Sequence, residues 1–287
     1  MSEQPTEAPP QAPASADSGS DTGRDFSLRW LMGGSILAVI VVAALIVAGV
    51  IMVRGDDEPL VPAGDQGNGA TAAVEPDQFA PDPFFDEKGR VVYTPLDPNG
   101  VILRQSSPAT NRAATTAPSG IMLQQVHENM HLPFSTSDGP TGISDSGVAT
   151  GFARTAQGAG LAGVHYIGYM ASGNSRIERL LDAGLISDPD NNVQDLIDLN
   201  NSGKPGSAPD NFPSRVFQMI KVDYNADIAR VHLGASVTRA SGTQNMDIWT
   251  DLVWRDDKGW VVKAPAKGEK TYQVVADYSA EGWTSWW

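Results

Sequence analysis

The residues best spaced for chemistry are His127, Glu128, Asn129, Met130 and His131, which fit H-E-x-x-H. On a helix that spacing sets two imidazoles one turn apart to hold zinc, with Glu128 as general base. Pro133, however, would end such a helix almost at the second histidine, and no H-x-x-G-x-x-H extension follows. A third ligand would have to be an acid such as Asp145. The preferred reading makes 127–131 an extended or irregular segment entering a folded domain, its His, Glu and Asn in solvent. His165 falls on a proposed helix and His232 on the polar side of a proposed strand, the usual places for packing or surface imidazoles. No G-x-S-x-G, Walker or dinucleotide pattern is present, and GAGLAG (158–163) lies inside a helix instead of following a strand. Tyr166, Tyr169 or Asp251 would suit an acid-base cleft, but nothing in the spacing selects them. The residues therefore predict no catalytic set, no metal and no cofactor.

The element that positions everything else is Trp30 to Val53, an uncharged run whose 24 residues reach roughly 36 Å as a helix, enough to cross about 30 Å of hydrocarbon. It is too long for a signal-peptide core and is preceded by an acidic leader, so the expectation is an uncleaved single-pass anchor. Arg24 and Arg29 before it, against Arg54 after it, place the N-terminus in the cytoplasm and the bulk of the chain outside. Residues 1–29 then read as a disordered cytoplasmic tail, and 54–120 as a flexible stalk with a short extended arm, its apolar bursts Val91 to Tyr93 and Val101 to Leu103 fenced by Pro, Asp and Gly. SSPATNRAATTAPSG (106–120) is a loop.

The folded domain is expected over 121–287. A helix begins near Thr155, with Leu161, Val164, Tyr166, Ile167 and Met170 as its apolar face; Gly158, Gly160, Gly163 and Gly168 imply close approach to something flat, such as a sheet. Shorter helices follow, one capped by Ser175 and one opening at Asp188-Pro189 with Gly203 beyond its end. From Arg215 the period changes to two: Arg215 to Tyr224, the IARVHLGASV run, Met246 to Trp254 and Trp260 to Lys263 read as a four-strand antiparallel meander. Helices first and strands later predict an α+β fold with the helices on one sheet face. Trp283, Trp286 and Trp287 are expected to fold back onto the sheet or arm, the alternative being a partner-docking anchor.

A formal charge of −14, with 20 basic residues scattered among 34 acids, argues against direct nucleic-acid binding. The absence of cysteine excludes disulfides and thiolate chemistry, leaving packing to stabilise the outer domain.

At GFARTAQGAGLAGVHYIGYM, preceded by LPFSTSDGP and followed by DIWTDLVWRDDKGWVV, the chain resembles actinobacterial membrane proteins of conjugative and integrative elements, of the TcpC-type type IV secretion assembly factors. The resemblance spans roughly 121 to 265. It implies an extracytoplasmic cone of the nuclear transport factor type, helices on a curved antiparallel sheet, with no catalytic role. The expected function is a membrane-anchored scaffold of a conjugation apparatus, in contact with other membrane-complex proteins or with further copies of itself. Similar anchored cones accompany mammalian-cell-entry lipid transporters, which makes a transporter accessory the alternative, with a zinc metallopeptidase at 127–131 behind it.

Overall fold

The IARVHLGASV run forms a strand because its alternation gives it one apolar side, and that strand is the centre of the larger of the two main sheets. The computed structural model describes residues 76–203, 207–211, 213–214, 216–239 and 242–287. The predicted tail, membrane span and first part of the stalk lie outside these residues. Among the described residues, no helix is long and apolar enough to cross a membrane.

Strand β9 (Ile228–Arg239) pairs antiparallel with β8 (Met219–Asn225) on one side and β10 (Gly242–Arg255) on the other. Strand β10 is long enough to hold two partners along its far edge. Residues 251–255 pair with β11 (Gly259–Lys263), and 245–248 with β12 (Tyr272–Val275). The predicted meander is therefore β8 to β11, and β7 (Ile186–Ser187) extends it in parallel on β11. Val231, Leu233 and Ala235 are buried on one face, as the alternation requires.

Helix α1 (Ala156–Met170) starts where predicted, with the Thr155 hydroxyl accepting from the Gly158 N–H at 2.9 Å. All fifteen of its residues are buried. A helix buried all round needs cover on more than one side, and a second sheet supplies it. That sheet has the order β1-β2-β3-β4, from β1 (Phe84–Phe85), β2 (Val91–Tyr93), β3 (Met122–Val126) and β4 (Met130–Phe134). Helices on one face of a single sheet was thus too simple an expectation: the main helix is sandwiched between two sheets. The α+β class stands.

The helical glycines explain the close fit. A Cβ at Gly163 would lie 2.8 Å from the Val231 side chain on β9, and one at Gly168 would lie 3.3 Å from Leu132 on β4. Glycine costs a helix about 1 kcal/mol relative to alanine. Here it lets the backbone approach both sheets.

The arm is part of the small sheet, since β2 pairs in parallel with β3 (Val92 opposite Leu123) and Val92 is fully buried. Helix α2 (Asn174–Asp182) begins after Gly173, whose φ is 95°, so Ser175 lies inside the helix instead of capping it. The Asp210 carboxylate, arriving from a distant loop, takes the Ser175 N–H at 3.0 Å and fills that role. Helix α3 (Asn192–Asn201) starts beyond Pro189, with the Asp188 carboxylate accepting from the N–H groups of Asn192 and Val193 at 2.8 and 2.7 Å. Strands β5 (Gly142–Ile143) and β6 (Ala149–Thr150) form a separate two-strand hairpin.

Candidate functional site

The H-E-x-x-H segment is the turn and second strand of a β-hairpin. Val126 on β3 faces Met130 on β4, and His127 and Glu128 take left-handed backbone angles, φ 47° and 75°. Non-glycine residues hold that conformation only where their surroundings dictate it. His127 is so held: its N–H donates to Pro98 O at 2.6 Å, and its carbonyl accepts from Arg176 at 2.6 Å. Its Nε2 lies 2.6 Å from Tyr169 Oη and 3.1 Å from Gly147 O.

The helical geometry that a zinc hydrolase needs is therefore not formed. Nor does either histidine face solvent, as the sequence led one to expect, for His127 and His131 are 4% and 3% exposed. The His131 ring packs edge-on to Phe84 of the arm, at 5.4 Å between centroids. Among the described residues, no group of three or more His, Cys, Asp or Glu is arranged to hold a metal.

His165 is fully buried on α1, its Nε2 2.8 Å from the Pro133 carbonyl and its ring edge-on to Phe134 and Phe152. Tyr166 donates to Trp260 O at 3.2 Å and Tyr169 to Gly147 O at 3.2 Å; both are buried, and burial pushes both hydroxyls far above their ordinary range. These tyrosines are core groups, each 1% exposed.

Burial lowers the pKa of His127 to about 4, with the Arg176 and Arg179 charges adding to the effect, and burial lowers His165 to about 4 as well. The unfolded chain binds protons on these imidazoles below about pH 6.5 and the folded chain does not, so stability falls as pH drops from there toward 4. The slope is up to about 1.4 kcal/mol per pH unit for each histidine. Urea midpoints taken between pH 7.5 and 4.5 will therefore decline, and the H127Q/H165Q double variant will give a flatter profile. An unchanged profile in that variant would refute neutral burial of these two rings.

The polar groups that do converge lie on the face of the large sheet turned away from α1. His232 Nδ1 donates to Asp247 Oδ1 at 2.9 Å, and its Nε2 lies 3.3 Å from Asp223. Gln273 on β12 donates to the other Asp247 oxygen at 2.9 Å. One row along, Arg230 makes a bidentate pair with Asp251 at 2.6 and 2.8 Å and lies over the Trp249 ring. The Trp283 ring covers His232 at 6.1 Å.

Sequence reasoning missed Asp247. Its signal was present in D-I-W-T-D, where 247, 249 and 251 share a face, but only the strand register shows that Asp247 lies diagonally across from His232. An imidazole oriented by a carboxylate can carry a proton. No described hydroxyl is bonded to either His232 nitrogen, and the cluster ties β8, β9, β10 and β12 together across the sheet. Asp251 also lines a shallow cleft with Trp249, Glu269 and Thr271, whose roughly 20 Å³ holds no more than a water or so.

A second polar cluster is buried at the start of α1. Asp138, fully buried, accepts from both terminal nitrogens of Arg112, at 2.8 and 2.5 Å, from the Ser137 hydroxyl at 2.5 Å and from the Thr155 hydroxyl at 2.7 Å. Gln157 on α1 donates to the carbonyls of Ala113 and Thr116, at 2.8 and 2.9 Å. The predicted loop at 106–120 is thereby clamped to the helix start.

No curated protein and no solved structure matches this chain. A family model described as a domain of unknown function matches residues 92–285, which run from β2 through the large sheet to Ser285, leaving out β1 and the last two tryptophans. The chain belongs to that family, DUF8175.

Proposed function

We propose that this protein is a non-catalytic, single-pass membrane scaffold, an assembly subunit of a conjugation-type (type IV secretion-like) apparatus. In this reading its N-terminus is cytoplasmic, Trp30 to Val53 is the anchor, and the domain beyond the stalk stands outside the cell as a nuclear-transport-factor-like cone. The observation that carries the reading is the flush seating of α1, whose Gly163 leaves no room even for a methyl group against β9. A cone of this kind makes a ligand site by holding its helix off the sheet. Here the helix fills that space, and Asp138, His127 and His232 are each engaged by neighbours of their own: Arg112, Tyr169 and Asp247 respectively. What remains available is surface, which suits contacts with other proteins of a membrane complex.

Two measurements test this. Protease added to intact cells should remove the 76–287 domain; survival until lysis would invert the topology. Pull-down of the full chain from its native membrane should recover a secretion ATPase or coupling protein. Recovery of lipid-transport subunits instead would make the protein a transporter accessory.

A further inference from the structure

Strand β8 is an edge strand, and among the described residues its outer edge meets one further rung: Ile220 and Thr284 exchange backbone hydrogen bonds at 2.8 and 2.9 Å. The segment around Thr284 straddles that edge. Trp283 lies on the outer face against His232 and Tyr278, while Trp286 turns inward to 6% exposure. Trp286 enters a slot that α1 leaves open at Gly160, where a Cβ would stand 2.5 Å from the indole and 3.1 Å from Ile220. The Trp287 indole N–H donates to Phe217 O just before β8 begins.

These contacts describe a strand-addition site: backbone pairing on a sheet edge, with a side-chain pocket beside it for selectivity. The occupant is held by a single backbone rung, and the Trp286 indole N–H is buried with no acceptor among the described residues. The connection that delivers it, Ala276 to Ala280, is mostly exposed and carries no strand of its own. A segment that makes one bridge to a sheet edge and is delivered by an exposed connection is the arrangement from which identical chains exchange elements.

We propose that the β8 edge and the Gly160 slot form a self-association site, whose partner is the segment 282–287 of a second copy of this chain. The occupant is identified by what already sits there, since every copy carries the same Thr-Ser-Trp-Trp sequence that fits the slot. Exchange links subunits through the contacts one chain makes with itself. The inference goes beyond the scaffold reading and does not depend on it.

The chain has no cysteine, so engineered thiols report unambiguously. The antiparallel bridge puts Met219 opposite Ser285, within the spacing a disulfide spans. Full-length M219C and S285C chains, carrying different tags, are co-expressed and their membranes oxidised. The expected result is a mixed-tag disulfide dimer, reduced at least tenfold when the S285C chain also carries Trp286→Ala. The M219C/S285C double variant checks the register in one chain. Internal closure of the double variant with no mixed-tag dimer would overturn the proposal, as would failure of both cross-links to form. Loss of topology in the protease test would leave this result unaffected, so the two readings fail separately.

Discussion

Replacing Asp138 with alanine is expected to destabilise the domain by about 3–5 kcal/mol, a large share of the roughly 5–15 kcal/mol that holds an ordinary domain folded. The reason is what the substitution leaves behind. The Arg112 side chain is only 11% exposed, and without Asp138 its charge sits in a dry site with no counter-ion there. The hydroxyls of Ser137 and Thr155 lose their acceptor at the same time. Urea unfolding followed by tryptophan fluorescence would measure the loss, and a change under about 1 kcal/mol would mean that the clamp is decorative. Partial recovery is expected if Arg112 is replaced by methionine in the same chain, because buried ion pairs are costly chiefly when one partner is missing. Burial alone pushes the Asp138 carboxyl upward, but Arg112, Ser137 and Thr155 together hold it below its ordinary value. Its contribution is therefore complete at neutral pH and is lost as pH falls below about 4, through the depressed pKa. That window lies under the one set by His127 and His165, so the Asp138 variant should lose acid sensitivity only at the lowest pH.

Gly163→Ala is expected to lower stability by about 1–3 kcal/mol, although on propensity alone the change favours a helix by up to about 1 kcal/mol. The sign turns on one contact. A methyl group at that position meets three atoms of Val231 at 2.8 to 2.9 Å, and Val231 is a fully buried residue of β9, paired on both sides within the sheet. Neither element can retreat, because β4 and its neighbours press on the helix from the opposite side. Gly163→Leu should abolish cooperative unfolding altogether. Glu178→Ala, on the exposed side of α2, is the matched control and should stay within about 0.5 kcal/mol. A stabilised Gly163→Ala protein would show that α1 does not sit flush on the sheet, and the proposed absence of a ligand space would go with it.

Much of the architecture was open to reading because it rests on local rules. The period-two alternation of 230–237 and the short turns around it specify a meander without reference to anything distant. The Thr155 cap and the glycines after it specify a helix lying tight against a flat surface. The candidate sites were less open. His127 and His131 carry a spacing that suits zinc only on a helix, and whether 122–134 becomes helix or hairpin depends on Val92, Pro98 and Ser214, which lie far off in the chain. The Asp138–Arg112 clamp joins residues 26 apart through two segments with no periodicity, so no pattern announces it.

By itself the sequence determined the α+β class, the order of helix and meander, the lack of thiol chemistry and the acidic balance, since each follows from composition or from neighbours a few residues apart. Only the tertiary structure decided that the helix is enclosed by two sheets, that the paired histidines are buried in a hairpin, one in its turn and one on β4, and that Trp286 fills the space Gly160 leaves. Those outcomes depend on which surfaces meet across long stretches of chain. Contact of that kind is settled by shape and by the burial of polar groups with their partners, which one-dimensional spacing does not record.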